Sequence, residues 1–286
     1  MDSCDVPLDP PLAPLVALLP PGEPFTRSMA ARVGVDRAAL ARMLRGGVVR
    51  RVVRGVYVGA STPDSPALRA RALSLVVAGR VATGRTAGWL HGVEPEAPSR
   101  LDLVSSGRRG GPSGRDVQEV SGLKVTTPLR TALDLGRTLA PEAALAALDR
   151  FLQLGLVQHR ELLAELPRMA GQPGVPQLRR LVAMADGRSG CRAESVLRLR
   201  WYDAQLPTPI PHVVVAPGLW LELALPVRRF GAVIAGRLSD ADLLALRVHG
   251  WRIVVLPDER LLGVDPHFVI QHLEREFLQH LLEQVG

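Results

Sequence analysis

The sequence predicts a multi-domain α+β protein. A small basic helical unit with a hairpin comes first, a mainly helical middle domain with short strands follows, and an α/β layer closes the chain. Three observations predict this. Basic charge is concentrated between residues 23 and 59. From 64 to 188, apolar residues recur at helical spacing in segments that each close on Gly or Pro. After 189 the pattern changes to αβββαβα. With 286 residues, 47% of them apolar, the chain can bury two or three cores. The expected spans are a Pro-rich lead at 1–22, a basic unit at 23–60, a middle domain at 61–188 and a final domain at 189–286.

The formal net charge is +7, and Lys124 is the single lysine among 35 basic residues. An Arg-rich bias follows genomic base composition, yet the charge still attracts polyanions, and Arg grips phosphate bidentately. Two cysteines, Cys4 and Cys191, make neither a disulfide framework nor a zinc site. The leading apolar run is broken by prolines and follows Asp instead of Lys or Arg, unlike a signal peptide. No stretch approaches 18 uncharged apolar residues. The expectation is a soluble cytoplasmic protein with no membrane partner.

The basic unit reads PFTRSMAARVGVDRAALARMLRGGVVRRVVRGVYVG. A short helix starts at Thr26, the chain turns at Gly34, and a second helix is capped by Asp36 and stopped at Gly46-Gly47. A hairpin follows, turning near Arg54-Gly55. This is the element order of a winged helix-turn-helix. With Arg37 set at 0° and about 100° per residue, Leu40, Met43 and Leu44 fall near 300°, 240° and 340°, while Arg45 and Arg42 fall near 80° and 140°. An apolar stripe thus opposes an arginine face spaced by alanines. Eight arginines stand against Glu23 and Asp36 in this unit, a net of +6. The expected partner is double-stranded DNA, bound by Arg27 together with Arg37, Arg42 and Arg45 toward a groove and Arg50, Arg51 and Arg54 toward phosphates. Docking of the basic face on an acidic protein is the alternative.

In the middle, PALRARALSLVVAG and TGRTAGWLHGV read as helices. RLDLVSS, DVQEVSG and LKVTT read as short strands around a Gly-rich loop, SGRRGGPSGR. That loop lacks the Lys-Ser/Thr of a phosphate-binding loop. Helices at TPLRTALDLGR, PEAALAALDRFLQLG, HRELLAELPRMAG and VPQLRRLVAMADG follow. His91 reads as a packing or capping residue. His267, His272 and His280 are not at metal-pair spacing on the last helix.

FTRSMAARVGVDRAALARMLRGGVVRRVVRGVYV resembles the N-terminal domain of AbiEi-type antitoxins of type IV toxin–antitoxin systems. ATGRTAGWLHGV and TTPLRTALDLGR resemble the signatures that follow it, so the likeness covers roughly residues 24 to 185. The resemblance implies a cytoplasmic DNA-binding regulator that represses its own operon. It also implies opposition to a nucleotidyltransferase-like toxin without tight binding to it.

The last hundred residues resemble the very-short-patch repair endonuclease domain of the PD-(D/E)xK superfamily. The likeness rests on AESVLRLRWYDAQLPTPIPHVVV, LELALP and HGWRIVVLPDERLLGVDPHFVIQHL. It places Glu194 at the helix glutamate and Glu222 at the first strand acid. The acid-x-acid pair of the next strand falls on Val233 and Ala235 in GAVIAGR, so both carboxylates are gone. Two carboxylates hold Mg²⁺ poorly, because the ion demands octahedral oxygen ligands. The expectation is a nuclease-like domain without cleavage, no resident metal and no cofactor, with Glu194, Glu222, Val233 and Ala235 as remnant positions. The alternatives are a metal-dependent endonuclease using Glu194 and Glu222, rescue of a metal site by Asp240 or Asp242, and a solvent-facing acid at Glu222.

Overall fold

The computed structural model describes residues 13–94, 96–105, 111–263 and 265–285. Cys4, most of the Pro-rich lead and the first half of the Gly-rich loop lie outside them. The architecture is mixed α/β, with three small sheets among the described residues. Two compact units divide between Thr131 and Ala132. The division therefore falls inside the span expected as one middle domain.

The first unit opens with α1 (Ala13–Val16), β1 (Phe25–Thr26), α2 (Arg27–Arg32), α3 (Arg37–Arg45), β2 (Val49–Val53) and β3 (Val56–Gly59). Asp36 caps α3 by accepting the Ala39 amide at 2.7 Å. Ala39, Leu40 and Met43 turn inward onto Phe25, Ala30, Val35, Val49 and Tyr57. The sheet runs β1-β3-β2 and is antiparallel. Val53 faces Val56 in register, so Arg54-Gly55 is a two-residue turn, and Gly55 supplies its φ of +88°. A register shift between Arg51 and Val53 lets the consecutive valines 52 and 53 join the same core.

The unit continues with α4 (Pro66–Ser74), β4 (Arg80–Ala82), α5 (Gly84–Leu90), β5 (Leu103–Ser105), β6 (Val117–Val120) and β7 (Leu123–Thr126). These strands form a sheet in the order β5-β4-β7-β6, with β4 and β7 parallel. Val52, Val53, Val56 and Val58 pack in one core with Leu68, Leu73, Trp89 and Val125. The hairpin is thus covered on both faces, since Val49 and Tyr57 belong to the α2–α3 core.

From α6 (Pro128–Thr138) the chain enters the second unit, with α7 (Pro141–Gln153), α8 (His159–Glu165), α9 (Val175–Met184) and α10 (Arg192–Asp203). It then forms β8 (Ile210–Ala216), β9 (Leu219–Leu225), β10 (Phe230–Ile234), α11 (Asp240–Val248), β11 (Arg252–Leu256), α12 (Asp258–Leu261) and α13 (Pro266–Val285). The sheet order is β11-β10-β9-β8. Only β10 and β11 are parallel in it, joined by the α11 crossover. Trp201, Leu223, Phe230, Val254, Leu256, Val269, Leu273 and Phe277 fill the core beneath α10, α12 and α13. Leu221, Ala224, Val233 and Ile253 pack with Leu246 of α11 in a second core.

Helix α10 also packs on α7, and the contact is ionic. Asp149 accepts Ser195 Oγ at 2.6 Å and the Asp186 amide at 2.8 Å, and it pairs with Arg198. Both charged side chains of that pair are almost wholly buried.

Candidate nucleic-acid interface and a buried carboxylate pair

The apolar stripe of α3 commits one face of the helix to the core, so its arginines lie on the other. Arg37, Arg42 and Arg45 are exposed, as are Arg27 on α2, Arg51 on β2 and Arg54 at the turn. None of the six forms an ion pair with a described residue. Arg50 differs from the rest. It is half-buried, and its Nη2 donates to the Thr62 carbonyl at 2.9 Å. Its charge also helps hold the Asp64 carboxyl below the usual range, although the hydrogen bond from Arg69 is the larger cause. Six of the seven arginines singled out in the sequence are thus free to meet a polyanion, and the seventh is tied to its own backbone.

The second unit gathers Glu194 of α10 and Glu222 of β9 around Arg237. Glu222 is only 2% exposed, which excludes the solvent-facing alternative. Neither of its carboxylate oxygens receives a hydrogen bond of good geometry. Its nearest cation is Arg237, with Nε 3.5 Å from Oε1. Glu194 is 5% exposed and well partnered. Its Oε2 accepts the Gly190 amide at 2.7 Å and His212 Nε2 at 2.9 Å, and Arg237 Nη2 lies 3.4 Å from Oε1. Burial, with a smaller contribution from the Glu194 charge, pushes the Glu222 carboxyl up to about 7, against the opposing pull of the nearby Glu222 and Ile234 backbone amides and, least, of Arg237.

The other candidates fall elsewhere. Val233 is buried in the core under α11, and the Ala235 amide donates to the Leu256 carbonyl at 2.9 Å. Asp242 is occupied in capping α11, where its Oδ2 accepts Ser239 Oγ at 2.6 Å and the Ser239 amide at 3.1 Å. Asp240 is exposed in the first turn of α11. Among the described residues, no group of three or more His, Cys, Asp or Glu could hold a metal ion.

Sequence reasoning missed Arg237, His212 and Trp220. The His212 and Trp220 rings stack at 4.8 Å, and Arg237 lies over the Trp220 ring at 5.9 Å. The available signals were the lone cation closing GAVIAGR and the lone histidine opening HVVVA. Both are too common to single out without their shared neighbour.

Residues 22–58 match the family described as a transcriptional regulator, AbiEi antitoxin. Residues 78–184 match the AbiEi antitoxin C-terminal domain. The chain is 32% identical over 233 residues to an uncharacterized protein of Mycobacterium tuberculosis strain CDC 1551 / Oshkosh, spanning 73% of this chain and 85% of that relative. An uncharacterized protein of strain ATCC 25618 / H37Rv matches with the same identity and coverage. The chain belongs to the AbiEi antitoxin family.

In this AbiEi-family protein the first match spans β1 to β3, and so includes every arginine of the strip. The second contains both signature blocks, and the geometry shows what they do. In TGRTAGWLHG, Thr86 Oγ1 accepts the Asp102 amide at 2.7 Å, and Asp102 Oδ2 accepts the Arg85 amide at 2.9 Å. His91, which closes α5, donates from Nε2 to the Thr126 carbonyl at 2.8 Å. Burial holds the His91 ring below its usual pKa, in keeping with a neutral donor. In TTPLRTALDLGR, Thr126 and Thr131 share a buried hydroxyl contact at 2.8 Å. The two blocks therefore lock α5 and the start of α6 onto the parallel pair β4–β7. The carboxylate pair, with Arg237, lies beyond both matched spans. No described helix is long and apolar enough to cross a membrane.

Proposed function

We propose that this AbiEi-family chain is a DNA-binding transcriptional regulator that represses its own operon and catalyses no reaction. In this reading residues 23–60 form a winged helix-turn-helix. Arg37, Arg42 and Arg45 face the groove of a duplex, and Arg27, Arg51 and Arg54 meet phosphates. The observation that carries it is the strip of exposed arginines without ionic partners inside the span matched by the regulator family. A cationic surface of this kind gains affinity by releasing counterions from DNA. Its counterpart is a toxin, of nucleotidyltransferase-like chemistry, opposed without tight binding.

The test is a gel shift of the duplex upstream of its own reading frame at several salt concentrations. Retarded DNA whose affinity falls steeply with salt supports the proposal. Absence of any shift at low salt favours the reading in which the basic face docks an acidic protein.

A second reading, a metal-dependent endonuclease of the PD-(D/E)xK type, draws on the order α10-β8-β9-β10-α11-β11 and on Glu222 lying buried near Glu194. We read the domain as nuclease-like in fold and without cleavage. Positions 233 and 235 carry no acid, and a guanidinium sits between the two glutamates. Metal-dependent nicking of plasmid DNA that is lost in Glu222→Ala would overturn the non-enzymatic reading.

A further inference from the structure

We infer that the outer face of α11 is the contact through which two copies of this chain associate, the two helices packing antiparallel about a two-fold axis. This contact lies in the second unit and forms without DNA, so it is independent of the regulator reading. The second unit covers its sheet unevenly. Helices α10, α12 and α13 close one face over the larger core. On the other face, Leu243 and Leu246 of α11 are the only helix residues in the core among the described residues, and Val213, Val215, Trp251 and Val255 stay half-buried. Helix α11 also turns apolar side chains outward. Leu244 is 62% exposed and Val248 77%, and Ala241 and Ala245 are exposed beside them. With Ala241 set at 0° and about 100° per residue, Leu244, Ala245 and Val248 fall near 300°, 40° and 340°, while the buried Leu246 falls near 140°. A surface helix ordinarily has one apolar stripe, facing its core. This helix has a second, facing away.

The charges beside the stripe select its occupant. Asp240 in the first turn and Arg247 in the last fall near 260° and 240° on the same scale of about 100° per residue, on one flank of the stripe. Both are exposed, and neither forms an ion pair with a described residue. Each suits the helix dipole at its own end, but the dipole does not account for the apolar stripe between them. A two-fold axis between Leu244 and Ala245, perpendicular to both helices, keeps each flank on its own side and reverses the direction of the copy. Asp240 then meets the partner's Arg247, and Arg247 the partner's Asp240. Along the stripe, Leu244 faces the partner's Ala245 and Val248 the partner's Ala241, so each large side chain meets a small one. A parallel copy would instead set like charges at the same level. A contact built on a nine-residue helix is smaller than a permanent dimer needs, so the association is weak and reversible. The dimer carries the arginine strip twice, which favours a duplex with two sites through effective concentration.

The experiment is sedimentation equilibrium of the full chain without DNA, from about 1 to 300 μM, the range of weak contacts of small area. Wild type is compared with Leu244→Glu, Asp240→Arg and Arg247→Asp, each first shown to keep the wild-type circular dichroism spectrum. We expect a reversible monomer–dimer equilibrium in wild type, with the dissociation constant raised about tenfold or more in Leu244→Glu, whose change enters the contact twice. Asp240→Arg and Arg247→Asp should each associate more weakly than wild type. Mixed in equal amounts they should associate again, because Asp240→Arg then presents two cations to two carboxylates. A wild type that is monomeric throughout the range would overturn the inference, as would a dimer that Leu244→Glu leaves unchanged. Failure of the mixture to recover would overturn the antiparallel pairing. If Leu244→Glu does not fold, Val248→Glu in the last turn replaces it, with the same outcomes. A monomeric wild type that still retards its upstream duplex sinks only the role given to α11, whereas a dimer that binds no DNA sinks only the regulator reading.

Discussion

Arg237 Nε stands 3.5 Å from Glu222 Oε1, and the same guanidinium reaches Glu194. One positive charge serves two carboxylates, and the Gly190 amide and His212 both favour Glu194. Burial accordingly pushes the Glu222 carboxyl up to about 7. In the unfolded chain the same group ionises near 4.5. The folded form binds the proton more tightly, so the stabilisation from Glu222 is complete below about 4.5 and is lost as pH rises through about 7. Glu222→Gln cannot ionise. It is expected to be more stable than wild type by on the order of 1–3 kcal/mol near pH 8, with little difference near pH 4.5. Urea unfolding of both proteins at the two pH values checks this. A difference that does not grow with pH would refute it.

The Asp149–Arg198 pair makes a second, separate prediction. Both side chains are almost wholly buried between α7 and α10. Asp149→Ala leaves the guanidinium buried and unpaired, at a cost of about 3–5 kcal/mol. The double variant Asp149→Ala/Arg198→Met removes both charges and is expected to recover much of that loss. Denaturant midpoints of the three proteins measure the effect, and additive losses would show that the pair is not coupled.

Gly84 tests the first signature block. Its φ is +50°, and an added Cβ would lie 2.8 Å from Asp102 Oδ2. Gly84→Ala is expected to destabilise the protein by about 1–3 kcal/mol through backbone strain and displacement of that carboxylate from the Arg85 amide. Thermal unfolding is the check. An unchanged Tm would mean that the α5 start tolerates a side chain.

Much of the fold was readable in the sequence where a local signal was strong. The Asp36 cap, the apolar stripe of α3 and the Gly46-Gly47 stop define that helix, and the αβββαβα order expected of the last hundred residues matches the elements from α10 to α13 except for the short helix α12 between β11 and α13. Strands β1 and β4 were not readable. They are two and three residues long, too short for an alternating pattern, and Val81 finds its partner Lys124 far along the chain. The sites divided in the same way. Exposure of Arg37, Arg42 and Arg45 follows from helical geometry. The inward turn of Arg50 toward Thr62 depends on where the chain goes after β3, and the meeting of Glu194, His212, Glu222 and Arg237 depends on how α10, β8, β9 and the end of β10 converge. Spacing along the chain carries neither.

The salt dependence of DNA binding separates the arginines by placement. Each phosphate contact contributes about 0.9 to the slope of log affinity against log salt. Arg51 and Arg54 are exposed, whereas Arg50 is bound to the Thr62 carbonyl. Arg50→Ala is therefore expected to lower Tm while leaving the slope close to wild type.

The most direct test of the regulator reading is the slope itself, measured by fluorescence anisotropy on the upstream duplex for wild type and Arg51→Ala/Arg54→Ala. The double variant is expected to bind more weakly, with a slope shallower by about 1.8. An unchanged slope, or a wild-type affinity indifferent to salt, would contradict it.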